Sequence, residues 1–185
     1  MKAKPAKHAG EVVFELNQRD EPLLAAASAT AISPFTLKRI LVPVDFSECA
    51  KKALQYALPL AKAHEAAITL LYVVPANYAV GEYGGVNYAS LEAEMRVSGD
   101  KQLAALVAEE LRSEVSADTL IRTGSPAAEI VAVAKSLPAD LIVISTHGRT
   151  GLKHVFLGSV TEHIVQHAPC PVLVVREREH EFLAT

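Results

Sequence analysis

From Arg39 onward, short apolar runs alternate with segments of helical period. Ile40-Leu41-Val42-Pro43-Val44 and Ala67 to Val74 are apolar at almost every position, as is Leu141 to Ile144 within Asp140–Ser145, and Pro171 to Val175 is the same. Continuous runs of this length bounded by turn residues read as strands buried on both faces. Thr119 to Arg122 is a weaker strand candidate. Between the runs the period changes. Ala50, Ala53, Leu54, Ala57, Leu58 and Ala61 recur at helical spacing after Ser47, which suits an N-cap, while Pro59 inside that stretch predicts a kink. A long helix is predicted from about Ser90 to Val115. Thr123-Gly124-Ser125-Pro126 reads as a turn, an N-cap and an N1 proline that start a helix running to about Ser136, and a last helix is predicted over Ser159–His167.

The order is therefore β-α-β-α-β-α-β-α-β. Crossovers long enough to hold a helix imply parallel neighbours, so the fold class is α/β: an open, doubly wound, five-stranded parallel sheet with helices on both faces. Such sheets take ligands at the carboxyl ends of their strands, near the topological switch point. Residues 1–35 break the pattern. They mix Lys, Pro, Gly and Ala, with a short strand possible at Val12, Val13, Phe14 and Leu16 and a helical turn or two over Leu23 to Ala31. The expected organisation is an N-terminal extension over 1–35, a mobile or docking arm, then a domain over 36–177 and a tail over 178–185. The Tyr-, Gly- and Asn-rich stretch 75–90 is longer than an ordinary connection, as functional or mobile loops are.

Composition narrows the function. Half of the 185 residues are hydrophobic, enough for a core without metal or disulfide help. A net charge of −3 argues against a dedicated nucleic-acid binder. No apolar run reaches the roughly 20 residues a membrane span requires. The three early lysines are separated from the apolar stretch Leu23–Ile32 by Glu11, Glu15, Asp20 and Glu21, which suits a signal peptide poorly. A cytoplasmic protein without membrane or nucleic-acid partners is expected. Cys49 and Cys170 stand far apart and read as small buried hydrophobes. His163 and His167 lie one turn apart without an evident third ligand, so no metal site is expected.

The candidate chemistry gathers at strand ends. Asp45 directly follows the first strand. It suits a helix-capping carboxylate, an acceptor for ribose hydroxyls or a ligand of nucleotide-bound Mg²⁺; the ribose role is favoured, since one carboxylate is a thin metal site. Val73 lies at the end of the second strand. The fourth strand ends in Ile144 and Ser145, followed by Thr146-His147-Gly148-Arg149-Thr150-Gly151 and then Gly158-Ser159-Val160-Thr161. Glycines allow close backbone approach, and a helix opening at Gly158-Ser159 offers free N–H groups to a phosphate. Ser159 and Thr161 would add hydroxyl donors, Arg149 and Lys153 positive charge, and His147 a further donor. Ser159-Val160-Thr161-Glu162 also reads as a plain capping box. Neither a nucleophile elbow, a P-loop nor a dinucleotide fingerprint is present, so triad hydrolase, P-loop NTPase and dinucleotide readings fall away.

Three segments together resemble the universal stress protein family. Lys38 to Ser47 is similar to its opening strand and turn. Ser145-Thr146-His147-Gly148 through Gly158-Ser159 resembles its ATP loop, Gly-x2-Gly-x9-Gly-Ser/Thr, and Ala168 to Val175 resembles its closing strand. The likeness covers about residues 36–177. It implies strand order 3-2-1-4-5 and homodimers joined through the last strand, Val172–Val175. It further implies an ATP site, with Mg²⁺ accompanying the nucleotide. Pro43, Val44 and Asp45 would line the adenosine side, and the Val73 backbone would read the adenine edge. Gly148, Arg149, Gly158, Ser159, Val160 and Thr161 would hold the phosphates. Ser145 departs from the pattern, standing where the first glycine belongs. It either narrows the approach or adds a hydroxyl contact, and weakened binding is expected. The implied role is a stress-response regulator with slow or no ATP turnover. The alternatives are an interaction module that binds no nucleotide and an adenylating enzyme. The latter is disfavoured because Asp45-Phe46-Ser47-Glu48-Cys49 lacks the Ser-Gly-Gly-x-Asp-Ser loop of that class.

Overall fold

The structure, a computed structural model, describes residues 2–5, 12–15, 36–76, 88–111, 114–148 and 157–176. The helical turns expected at Leu23–Ala31, most of the 75–90 loop, Arg149, Lys153 and the 178–185 tail lie outside the described residues. The chain divides into two units, Met1–Thr36 and Leu37–Thr185. In the first, β1 (Lys2–Pro5) pairs antiparallel with β2 (Val12–Glu15), from Lys2↔Glu15 to Pro5↔Val12.

The second unit holds β3 (Arg39–Val44), α1 (Glu48–His64), β4 (Ala67–Pro75), α2 (Tyr88–Leu106), β5 (Ala117–Gly124), α3 (Pro126–Ser136), β6 (Leu141–Ser145), α4 (Ser159–His167) and β7 (Val172–Val175). All pairings in its sheet are parallel and the order is β5-β4-β3-β6-β7. Counted from β3, this is the 3-2-1-4-5 order. The two-residue period of a strand divides the core between the two faces of the sheet. Ile40, Val42, Val44, Ile68, Leu70, Tyr72 and Val74 point to one face, under buried residues of α1 and α2 such as Leu54 and Leu103. Leu41, Leu71, Val73, Ile142 and Ile144 point to the other, under Ile130 and Val133 of α3 and Ile164 of α4. Both faces being covered, the inner strands β3, β4 and β6 are apolar at almost every position rather than alternating.

Helix α1 begins as its sequence dictates. Ser47 Oγ accepts from Ala50 N–H at 3.2 Å. The helix ends on Glu65 in the left-handed region (φ 53°), whose N–H bonds Ala61 O. Pro59 lies inside it, and the helix nevertheless runs as one 17-residue element. α2 starts at Tyr88, two residues before the expected position, and passes into a π-helical turn over Val107–Leu111. β5 is twice as long as Thr119–Arg122 suggested, because it pairs with β4 over its full length from Ile68↔Ala117 to Pro75↔Gly124. Neither Cys49 nor Cys170 is in a disulfide, and both are partly exposed rather than buried.

Candidate functional site

β3 is the strand from which the chain departs in both directions, with β4 on one side and β6 on the other. That is the switch point where an open α/β sheet forms a crevice. A cleft of about 370 Å³ lies at the carboxyl ends of these strands. Such a volume is within the range of small-ligand sites. Pro43, Val44, Asp45, Val73, Ile144, Ser145, His147, Gly148, Gly158, Ser159, Val160 and Thr161 all line it. Arg149 is outside the described residues. Tyr72 and Thr146 join as sequence neighbours of expected residues, while Leu71, Pro75, Met95, Pro126 and Ile130 join from β4, α2 and α3. Strand periodicity pointed to Leu71 and Pro75, which share a face with Val73. Met95 and Ile130 carry no signal that separates them from core residues.

The cleft has two unlike ends. Met95 from one face of the sheet and Pro126 and Ile130 from the other give an apolar end beside Val73. Here β4 overhangs β3. Its ladder with β3 stops at Val44↔Tyr72, whereas its ladder with β5 continues to Pro75↔Gly124. Backbone groups of Val73–Pro75 on the β3 side therefore extend past the last strand pair, and such groups demand a partner.

The other end is built from Asp45 and the two glycines. Asp45 Oδ1 accepts from Ser47 N–H (3.1 Å) and Ser47 Oγ–H (2.6 Å), so the carboxylate is fixed by the turn that starts α1. Phe46 in that turn takes a left-handed φ of 63°, and its ring packs on Tyr72 with centroids 4.7 Å apart. Gly148 lies against the second carboxylate oxygen; a Cβ on it would come 2.4 Å from Asp45 Oδ2. Gly158 donates to Thr146 O at 2.9 Å, and a Cβ there would come 2.9 Å from that same oxygen. Approach to a backbone oxygen requires the glycine at 158, whereas a Cβ at 148 would displace the Asp45 carboxylate.

Gly158, not Ser159, is the N-cap of α4, which overturns the capping-box reading. Glu162 N–H bonds Gly158 O as the first helical turn closes, and Ser159 is already the first helical residue, with its side chain exposed. The cap carries no side chain, so the remaining N–H groups of the first turn are left for solvent or an anion. Thr161 lines the cleft with its Oγ1 buried, donating to Ser145 O at 2.9 Å and tying α4 to β6. Ser145 is buried, and its Oγ donates to His147 O at 2.9 Å; the hydroxyl folds into the loop rather than across the crevice. His147 Nδ1 pairs with Thr146 Oγ1 at 3.0 Å. Asp45 is the one carboxylate among the described lining residues. On α4, His163 and His167 stack 4.2 Å apart, and His167 Nδ1 donates to His163 O. No group of three possible metal ligands occurs among the described residues.

Fold and site together define an open parallel α/β domain whose switch-point crevice is apolar at one end and rich in backbone donors at the other. Residues 36–176 match the Universal stress protein family, and the chain belongs to that family. It is 35% identical to universal stress protein MJ0531 of Methanocaldococcus jannaschii over 146 residues, 78% of this chain and 85% of that one. It is 34% identical to universal stress protein YxiE of Bacillus subtilis, over 75% of this chain and 98% of the relative. The structure of universal stress protein UspA from Lactobacillus plantarum superposes with a TM-score of 0.62 at 33% identity, covering 76% of this chain and 99% of the other. Two universal stress protein structures that share the fold at 21% and 20% identity, with TM-scores of 0.50 and 0.52, are complexes with cAMP and with dAMP, the latter from Archaeoglobus fulgidus. No helix among the described residues is long and apolar enough to cross a membrane.

Proposed function

We propose that the crevice binds an adenine nucleotide, ATP foremost, and that the chain is a cytoplasmic, dimeric stress-response regulator with slow or no hydrolysis. The observation that carries this reading is the polarity of the crevice. An apolar slot beside the overhanging backbone of β4 suits a purine, and the uncapped start of α4 faces the same space with the N–H groups a phosphate takes. Asp45, held between Ser47 and Gly148, suits the ribose hydroxyls between them. The adenine nucleotides bound by other members of the fold support the same assignment. Mg²⁺ would enter with the phosphates, with Asp45 as the one carboxylate among the described lining residues. Slow or no turnover is the reading because Asp45 is assigned to the ribose, and no second carboxylate among the described lining residues is left to activate water.

Residues 36–177 form the nucleotide-binding domain in this reading, flanked by the extension 1–35 and the tail 178–185. A second copy would pair along β7, the terminal strand of the sheet, where Val172, Leu173 and Val174 are half-buried. Edge strands of this kind are templates for pairing. Isothermal titration with ATP, ADP and AMP in the presence of Mg²⁺ tests the assignment. Saturable heat with one binding site per chain is expected; no heat at millimolar nucleotide refutes it and leaves the nucleotide-free interaction module. Light scattering at micromolar concentration checks the dimer.

A further inference from the structure

A proline in a central strand is out of place, because it has no N–H to give to a ladder. Pro43 lies in β3, which has a strand on each side. The hydrogen bonds identify the side that goes without. Lys38 O accepts from Ala67 N–H at 2.8 Å on the β4 side, and Arg39 O accepts from Asp140 N–H at 2.9 Å on the β6 side. Backbone groups of successive strand residues alternate between neighbours, so Leu41 and then Pro43 face β6. The pairings agree. β3 and β4 stay in register from Arg39↔Ala67 to Val44↔Tyr72, whereas β3 and β6 pair only at Ile40↔Leu141 and Leu41↔Ile142. The next bond of that ladder would be donated by residue 43.

The two strands are held together at their other end. Asp140 Oδ2 accepts from Lys38 N–H at 2.9 Å and Arg39 N–H at 2.8 Å. Past Pro43 the strand ends Val44 and Ser145 both line the crevice, and the loops meet again where Asp45 lies against Gly148. We propose that Pro43 is a positioning residue for the crevice: by withholding one N–H it stops the β3–β6 ladder and keeps the carboxyl ends of the two strands apart, so that a nucleotide enters between them. This rests on the nucleotide reading above and adds to it what sets the width of the site.

The test compares two side-chain-identical variants. Pro43→Ala restores the N–H, and Pro43→lactic acid, introduced by suppression with the α-hydroxy acid, places an ester oxygen there instead. In the Pro43→Ala chain the new amide is expected to be protected from hydrogen exchange. Binding must then break the added ladder bond, so the ATP Kd rises about tenfold. The ester variant, with the same side chain and no donor, is expected to bind ATP about tenfold more tightly than the Pro43→Ala chain, the effect of one hydrogen bond. Equal affinities for amide and ester overturn the proposal, as does an unprotected amide at position 43. Should the parent chain take up no adenine nucleotide, the nucleotide reading falls by itself. The exchange measurement then decides on Pro43: protection upholds its action on the ladder, and free exchange overturns it.

Discussion

Thr161 separates a structural role from a ligand-binding one. Replacing it with Val keeps the β-branched shape and removes the Oγ1–H that bonds Ser145 O at 2.9 Å in a buried setting. Losing a buried hydrogen bond and leaving its acceptor unmatched costs about 1–3 kcal/mol, and the added methyl offsets up to about 0.8 kcal/mol. The net loss, on the order of 0.2–3 kcal/mol, lowers the Tm of a chain this size by roughly 0.5–12 °C. Nucleotide affinity should change less than about threefold, because the hydroxyl proton is committed to β6 and not to a phosphate. Differential scanning calorimetry and ATP titration on the same preparation read the two effects side by side. An unchanged Tm with a Kd raised about tenfold or more would refute the assignment and restore Thr161 as a phosphate donor.

Gly148→Ala places a Cβ against Asp45 Oδ2, so the carboxylate must leave its bonds with Ser47; the ATP Kd in titration is expected to rise by at least about tenfold. Glu65→Gly relieves a left-handed φ at an exposed helix end and is expected to raise the Tm by about 1–3 °C, read by thermal denaturation, with the larger freedom of the unfolded glycine offsetting part of the gain. Partial burial, reinforced by the negative charge of Asp140, raises the Cys170 thiol above its ordinary pKa, and the Ile142 backbone bond opposes this. The folded state therefore holds that proton more tightly than the unfolded one. The stabilisation is complete below the unfolded thiol value and is lost as pH rises through the folded one, so the Tm should decline on the alkaline side and Cys170→Ala should flatten that decline.

The helix starts at Ser47 and Ser125–Pro126 and the buried strands β3, β4, β6 and β7 were legible because each rests on local chemistry: a cap, an N1 proline, an unbroken apolar run. β5 was legible only at its centre. It is the other edge of the sheet, most of its residues are half-buried or exposed, and its ends are defined by pairing with β4 rather than by their own hydrophobicity. The strand-end residues of the site could be placed on one edge from topology alone. Met95, Pro126 and Ile130 could not, since a helix residue that lines a crevice has the same spacing as one that fills a core. The Ser159 cap was misplaced for a related reason. Side-chain preference favours serine at an N-cap, whereas the contact of Gly158 with Thr146 O, twelve positions earlier in the chain, decides the position.

The carboxylate of Asp140 fastens β3 to β6 at the margin of the sheet opposite the crevice. This fastening is thereby removed in space from what the domain holds. Substitutions in the loops after β3 and β6 can accumulate without loosening the fastening, and the fastening can be tuned for temperature without retuning the ligand. A scaffold divided in this way is free to diverge in specificity while its architecture stays constant.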